Sequence, residues 1–234
     1  MFSGQVFANK QEIIDAVKNG ELKVLERLLK SKDNANITDK EKNPLLFIAL
    51  VNGKSKIAEL LINKGADPNS KNRYGAPVIV TAAGNGFDKI VEMLIRQGAQ
   101  VNAKFERYDN VTALMLAAQD GYDKTVNILL KNGADVNAET SNGDTALIAA
   151  AAKNRVKIIK TLLEKGADIN VRTKSGYSAL FIAISESNAA LVDYLLTQGA
   201  NPNILDENGD SALKLAKRIK NSEIIKLIKA KGGE

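Results

Sequence analysis

The 234-residue sequence predicts an all-α fold, an elongated and curved solenoid of helix-turn-helix units joined by hairpin loops, and three observations predict it. Gly-Ala pairs recur at Gly65, Gly98, Gly133, Gly166 and Gly199, separated by 33, 35, 33 and 33 residues. Self-similarity at such a period marks a stacked repeat in which each unit buries its apolar face against its neighbours. Between the pairs, apolar residues fall at i, i+3 and i+4, the spacing of one buried helix face. Tight-turn dipeptides, Asn142-Gly143, Ser175-Gly176 and Asn208-Gly209, sit at one place in successive units.

The stretch Leu129 to Ala151 holds a complete turn of this pattern. Leu129 and Leu130 close a helix at Gly133, since glycine takes the positive φ of a helix C′ position without steric cost. Asn142-Gly143 predicts a type I′ turn, with positive φ at both residues. Thr145 offers an N-cap hydroxyl, and Ala146 to Ala151 supply small residues for close packing. A 33-residue helix, hairpin, helix unit resembles the ankyrin-repeat family, over about residues 9–234. The resemblance implies a helix start like Thr-Pro-Leu-His, whose histidine links neighbouring units. Here its place is taken by Phe47, Val80, Met115, Ile148, Phe181 and Lys214, which predicts apolar packing at five of the six positions.

Residues 1–8 read as an unstructured leader or the remnant of a trimmed export signal, because Val6-Phe7-Ala8 suits a cleavage site while a charged n-region and an apolar h-region are missing. An N-terminal cap follows at 9–36, with helices over about Lys10–Asn19 and Glu21–Lys30. Full units are expected at 37–69, 70–102, 103–137, 138–170 and 171–203, with Pro44 in the first turn of a helix, where its missing N–H costs nothing. A basic capping unit closes the array at 204–234. The unit at 103–137 is two residues longer, and its KFERYDNV segment lacks the turn glycine, so that hairpin should be longer and differently bent.

Composition excludes several functions. With no cysteine and no histidine, disulfides, thiolate metal sites and the commonest general base are absent. Asp67, Asp135 and Asp168 recur once per unit, and Asn69, Asn102, Asn137, Asn170 and Asn203 do likewise. That periodicity assigns them to turn architecture rather than to acid–base chemistry, the asparagines satisfying turn backbone groups. Gly53-Lys54-Ser55 lacks the upstream glycine of a phosphate loop, where Ile48 stands, and Gly84-Asn85-Gly86 fails similarly. No catalytic, cofactor-binding or metal-ligating residue is assigned, and no run of 18 apolar residues offers a membrane span. The net charge of +6 is concentrated at one end: residues 37–210 carry 20 Lys/Arg and 20 Asp/Glu, whereas 211–234 carry 7 against 2.

The resemblance implies a non-enzymatic protein-protein interaction scaffold, with a partner on the concave face formed by hairpin tips and inner helices. The tip positions are Lys71, Arg73, Tyr74, Lys104, Phe105, Arg107, Tyr108, Glu139, Asn142, Arg172, Lys174 and Tyr177. Exposed Tyr and Arg on a rigid support are what interface hot spots use. The alternative is nucleic-acid or acidic-surface binding through Lys214, Lys217, Arg218, Lys220, Lys226, Lys229 and Lys231. The expected partner is another protein, bound by a monomer without a small-molecule substrate or cofactor. Compartment is left open, with cytoplasm ahead of export.

Overall fold

A computed structural model describes residues 2–234, with side chains from Lys10 onward; the first helix begins at Phe2, so the backbone of 2–8, where an unstructured leader was expected, is helical. The described residues form fifteen α-helices and one 3-10 turn, with isolated β-bridges in place of strands. None of these helices is long and apolar enough to cross a membrane. The chain divides into two compact units, one of residues 1–117 and 127–134, the other of 118–126 and 135–234.

In the first unit, α1 (Phe2–Asn19) and α2 (Leu22–Leu28) pair, a single turn α3 (Lys32–Ala35) follows, and the pairs α4 (Leu45–Val51) with α5 (Ser55–Asn63) and α6 (Val78–Gly84) with α7 (Asp88–Arg96) come next. Inner helices pack on inner helices, α1 on α4 and α4 on α6, and outer on outer, α2 on α5 and α5 on α7. α8 (Ala113–Asp120) and α9 (Asp123–Lys131) contribute residues to each unit. The second unit repeats the scheme with α10 (Ala146–Ala152), α11 (Val156–Glu164), α12 (Ala179–Ser185), α13 (Ala189–Thr197), α14 (Ala212–Arg218) and α15 (Ser222–Ala230). There α10 packs on α12 and α12 on α14, while α13 packs on α15.

The core consists of the positions that the apolar spacing selects: Ile57 and Leu61 of α5, Ile90 and Leu94 of α7, Ile158 and Leu162 of α11, and Ile224 and Ile228 of α15 are buried. At the position where the resemblance implies histidine, Val80, Met115, Ile148 and Phe181 are buried, Phe47 is half-buried and Lys214 is exposed. Apolar packing therefore does replace the imidazole over most of the array. Thr145, Ser178 and Ser211 cap α10, α12 and α14, each hydroxyl accepting from the N–H three residues on at 3.3–3.4 Å. Pro44 is not in the first turn, as expected, but one residue earlier: it and Pro77 are the N-cap residues of α4 and α6, extended at ψ 148° and 141°. Proline supplies no side-chain acceptor there, so those two helices start without the cap that their later counterparts have.

Two periodic devices hold the turns. Residues at positive φ recur at the inner-to-outer helix turns, Gly20, Gly53, Gly86 and Gly121, then Asn154, Ser187 and Lys220. The second is an asparagine ladder. Asn36, Asn69, Asn102, Asn137 and Asn203 donate through Nδ2 to the carbonyls of Gly65, Gly98, Gly133, Gly166 and Gly232 at 3.0–3.1 Å. The Oδ1 atoms of Asn36, Asn69, Asn137, Asn170 and Asn203 accept from the N–H of Asp67, Gln100, Asp168, Asn201 and Glu234 at 2.7–2.9 Å. The turn groups that these asparagines satisfy thus belong to the following repeat, and a polar link between neighbours persists without histidine.

Candidate functional site

The hairpins that carry the candidate residues are built around one acceptor. Asp39, Asn72, Thr140, Thr173 and Asp206 stand at equivalent positions and turn a side-chain oxygen back onto backbone N–H groups two or four residues on. Such Asx and ST turns fix the tip alongside the backbone bond that each of these residues donates to the residue four on. At Asp39, burial raises the carboxyl pKa, but hydrogen bonds donated by Asn43 and Glu41 and the charge of Lys18 outweigh it and hold the group below its ordinary value. At Asp206 the N–H of Asp210, followed by the donors of Asn208 and the charge of Arg218, depresses the pKa against the effect of burial.

The expected type I′ turn at Asn142-Gly143 is replaced by another. Positive φ occurs at Gly143 (83°) and not at Asn142. The Gly143 N–H donates to Thr140 O at 3.0 Å and the Thr140 N–H to Asp144 O at 2.9 Å, the pattern of a turn followed by one left-handed residue. Glycine is needed there for a second reason, since a Cβ would lie 2.9 Å from Arg172 O. The neighbouring tip is that close because the Lys174 N–H donates to Asn142 O at 2.7 Å.

The third hairpin departs from this plan, as its extra length predicts. Phe105 takes the place of the acceptor, and its backbone bridges to Val111. The tip is formed instead by a 3-10 turn, Glu106–Tyr108, and two successive left-handed residues, Asp109 (φ 54°) and Asn110 (φ 60°). Asp and Asn tolerate that region better than other residues with a Cβ. The consequence is presentation of side chains: Tyr108 is 62% exposed and stacks on half-buried Phe105 with centroids 5.8 Å apart.

Among the sequence-selected residues, Lys71, Arg73, Tyr74 and Arg107 come together around one shallow open depression, with Glu106 on its rim. Arg73 is paired: one terminal guanidinium nitrogen meets Glu41 at 2.5 Å, the other terminal nitrogen donates to the Tyr74 hydroxyl, and its carbon lies 4.5 Å from the Tyr74 ring centroid. Arg107 approaches the same ring at 5.7 Å. Lys104 is exposed on the same hairpin as Phe105 and Arg107.

The remaining candidates lie in the second compact unit and serve locally. Arg172 donates to Leu205 O at 3.0 Å, tying adjacent hairpins. Tyr177 sets its edge against buried Phe181 at 6.4 Å, and Asn142, Lys174 and Glu139 are exposed. Within the basic segment, buried Asp210 pairs with Lys214 at 2.5 Å and Arg218 at 2.8 Å, so two of its cations are structural. Sequence reasoning missed Glu41, whose partner is 32 residues away, and the five hairpin acceptors, although Asp, Asn or Thr recurring ahead of each tip is a legible signal.

Comparison with known proteins agrees with this architecture. The family model for three copies of the ankyrin repeat matches residues 13–105, 81–173 and 166–234. Among solved structures, the ankyrin repeat domain of Bcl-3, described as a unique member of the IkappaB protein family, is 26% identical with a TM-score of 0.80, over 93% of this chain and 97% of that one. The human ASB11 ankyrin repeat domain is also 26% identical, with a TM-score of 0.81 over 95% and 98% of the two chains. No curated protein matches at significant sequence similarity. With the family model spanning most of the sequence and the repeat visible in every hairpin, this chain belongs to the ankyrin-repeat family.

Proposed function

We propose that the chain is a non-enzymatic protein-binding scaffold whose partner docks on the second and third hairpin tips, at Tyr74, Phe105, Arg107 and Tyr108. Ankyrin repeats are in general protein–protein interaction modules, so the class follows from the family and the surface is the further step. The observation that carries the surface is the third tip, where two stacked aromatics and an arginine are presented on a hairpin braced by its own backbone bonds. Aromatic and arginine side chains dominate interface energetics, and a surface ordered before binding loses less entropy when it binds. The competing reading, through the basic C-terminal segment, is weakened by the engagement of Lys214 and Arg218 with Asp210.

The test is partner capture from the source cells followed by affinity measurement with purified components. Phe105→Ala combined with Tyr108→Ala is expected to weaken binding at least tenfold, about 1.4 kcal/mol. Because Phe105 is half-buried, Tyr108→Ala alone serves as the control for folding. Wild-type affinity in both variants, with loss on neutralising Lys226 and Lys229, would transfer the site to the C-terminal segment.

A further inference from the structure

The depression beside Tyr74 has a chemistry of its own. Four charged groups line it, Lys71, Arg73 and Arg107 against Glu106, while Glu41 reaches Arg73 from the first hairpin and Lys104 stands on the third. They are not equivalent. Arg73 already has a counter-ion, since one terminal nitrogen donates to Glu41 and the other to the Tyr74 hydroxyl. It stacks on the Tyr74 ring and donates to its hydroxyl, while Tyr74 remains 45% exposed.

Arg107 is the reverse case. It is exposed, it faces the ring that Arg73 has positioned, and among the described residues it forms no ion pair. Neither do Lys71 and Lys104. A guanidinium set over an aromatic ring keeps its in-plane N–H donors available, and those donors match the two oxygens of a carboxylate. Lys71, the other unpaired cation of the depression, adds a point charge without a fixed direction.

The flanking carboxylates decide which anion fits. A polyphosphate chain running across the depression would pass Glu41 and Glu106, and like charges at close range repel. A single carboxylate avoids that, because it needs only the space between Arg107 and Lys71. Tyr74 and Tyr108, 45% and 62% exposed, then offer ring surface to the neighbouring atoms of the same segment.

We infer that this depression receives a segment of the partner protein carrying a single glutamate or aspartate, its carboxylate held by Arg107 and Lys71 with the adjoining residues lying on the ring of Tyr74 and reaching toward Tyr108 on the third hairpin. The inference rests on the docking surface proposed above and adds the chemistry of what docks. It assigns Arg107 and Lys71 to direct contact, Arg73 to positioning of Tyr74, and Glu41 to holding Arg73.

The experiment uses the full 234-residue chain and a capped heptapeptide with one glutamate among neutral residues, with its glutamine counterpart as the neutral probe and a short oligothymidylate as the polyanion probe. Amide chemical shifts are followed by NMR at low ionic strength, since exposed charge pairs are screened by salt. The expected result is saturable shifts confined to residues 71–75 and 104–108 with the glutamate peptide, little response to the glutamine peptide, and weaker binding of the oligonucleotide at those residues. Arg107→Gln should weaken the glutamate peptide at least about tenfold, the scale of a charge-assisted hydrogen bond. Tyr74→Phe, which removes the hydroxyl that Arg73 holds but keeps the ring, should weaken it less. Equal binding of the two peptides, tighter binding of the oligonucleotide, shifts centred on Lys226 and Lys229, or an unchanged Arg107→Gln variant would each overturn the inference. The two readings fail separately: a captured partner that still requires Phe105 and Tyr108, with no response to the glutamate peptide, removes the carboxylate and leaves the docking surface standing.

Discussion

Seven positions at the inner-to-outer helix turns need the left-handed conformation, and the residue that fills them changes along the chain. Gly20, Gly53, Gly86 and Gly121 take it freely, whereas Asn154, Ser187 and Lys220 hold it at φ 52°, 55° and 59° with a Cβ in place. A left-handed residue other than glycine costs about 1–2 kcal/mol, part of which is recovered by the smaller entropy that it loses on folding. Ser187→Gly and Lys220→Gly are therefore expected to raise stability by about 0.5–1 kcal/mol each, read as a shift in the urea midpoint without a change in slope. Asn154→Gly should gain less, because the Asn154 Oδ1 accepts from Asn188 Nδ2 at 2.9 Å and that bond would go. A lower midpoint for Ser187→Gly would show that the turn is not strained. Nothing in the local sequence around Ser187 announces positive φ; only its register with the glycines does.

Between elements, stability rests on small apolar contacts and on the asparagine ladder. Ala150 of α10 is fully buried, and α10 packs on α12, so Ala150→Leu inserts three carbons into a filled space and should cost about 1–3 kcal/mol. An unchanged thermal midpoint would mean that the stack yields locally. Asn137 is exposed yet makes two links to the next turn, to Gly166 O at 3.1 Å and from the Asp168 N–H at 2.8 Å. Asn137→Ala is expected to destabilise by about 1–2 kcal/mol, an effect that an exposed polar side chain without partners would not produce. Hydrogen exchange of the Asp168 amide supplies the local readout: faster exchange in the variant ties the loss to that bond, and unchanged exchange refutes the link. The recurrence of these asparagines was legible in the sequence and so was their role on the turn. That the turn is the next repeat's, a period away, was not, because hydrogen-bond direction depends on how the units stack.

Across the whole molecule, the two depressed carboxyls link stability to acidity in both compact units, Asp39 in one and Asp206 in the other. A carboxyl whose folded pKa lies below its ordinary value of 3.8 stabilises the fold fully above that value. That contribution is lost as the pH falls through the lower, folded value. Stability contributed by these two groups should thus be flat from pH 7 to about 5 and decline below about 4. Asp206→Asn keeps an oxygen to accept the Asp210 N–H, and so should flatten the decline between pH 5 and 3 while changing the neutral-pH midpoint less. Urea midpoints at the two pH values check this, and an identical acid dependence in the variant would remove Asp206 from the linkage.

What the sequence determined by itself was the frame of the repeat. The Gly-Ala period and the i, i+3, i+4 apolar spacing are local signals that each full repeat states again, and the Ser and Thr helix starts recur in the later ones, so that errors at one position are corrected by its counterparts. The longer third hairpin was visible for the same reason, as a break in register at 103–137. What the tertiary structure decided was how non-repeating side chains meet. The Asn142-Gly143 tip does not take the turn that its dipeptide favours, and the Asn142 carbonyl accepts the Lys174 N–H of the neighbouring hairpin, a contact a period away. Glu41 reaches Arg73, Arg73 fixes Tyr74, and Arg107 comes over the ring, a constellation assembled from three hairpins about a period apart. Propensity and pattern act over a few residues, whereas these contacts depend on the stacking of whole units, and a single sequence carries no local record of that geometry.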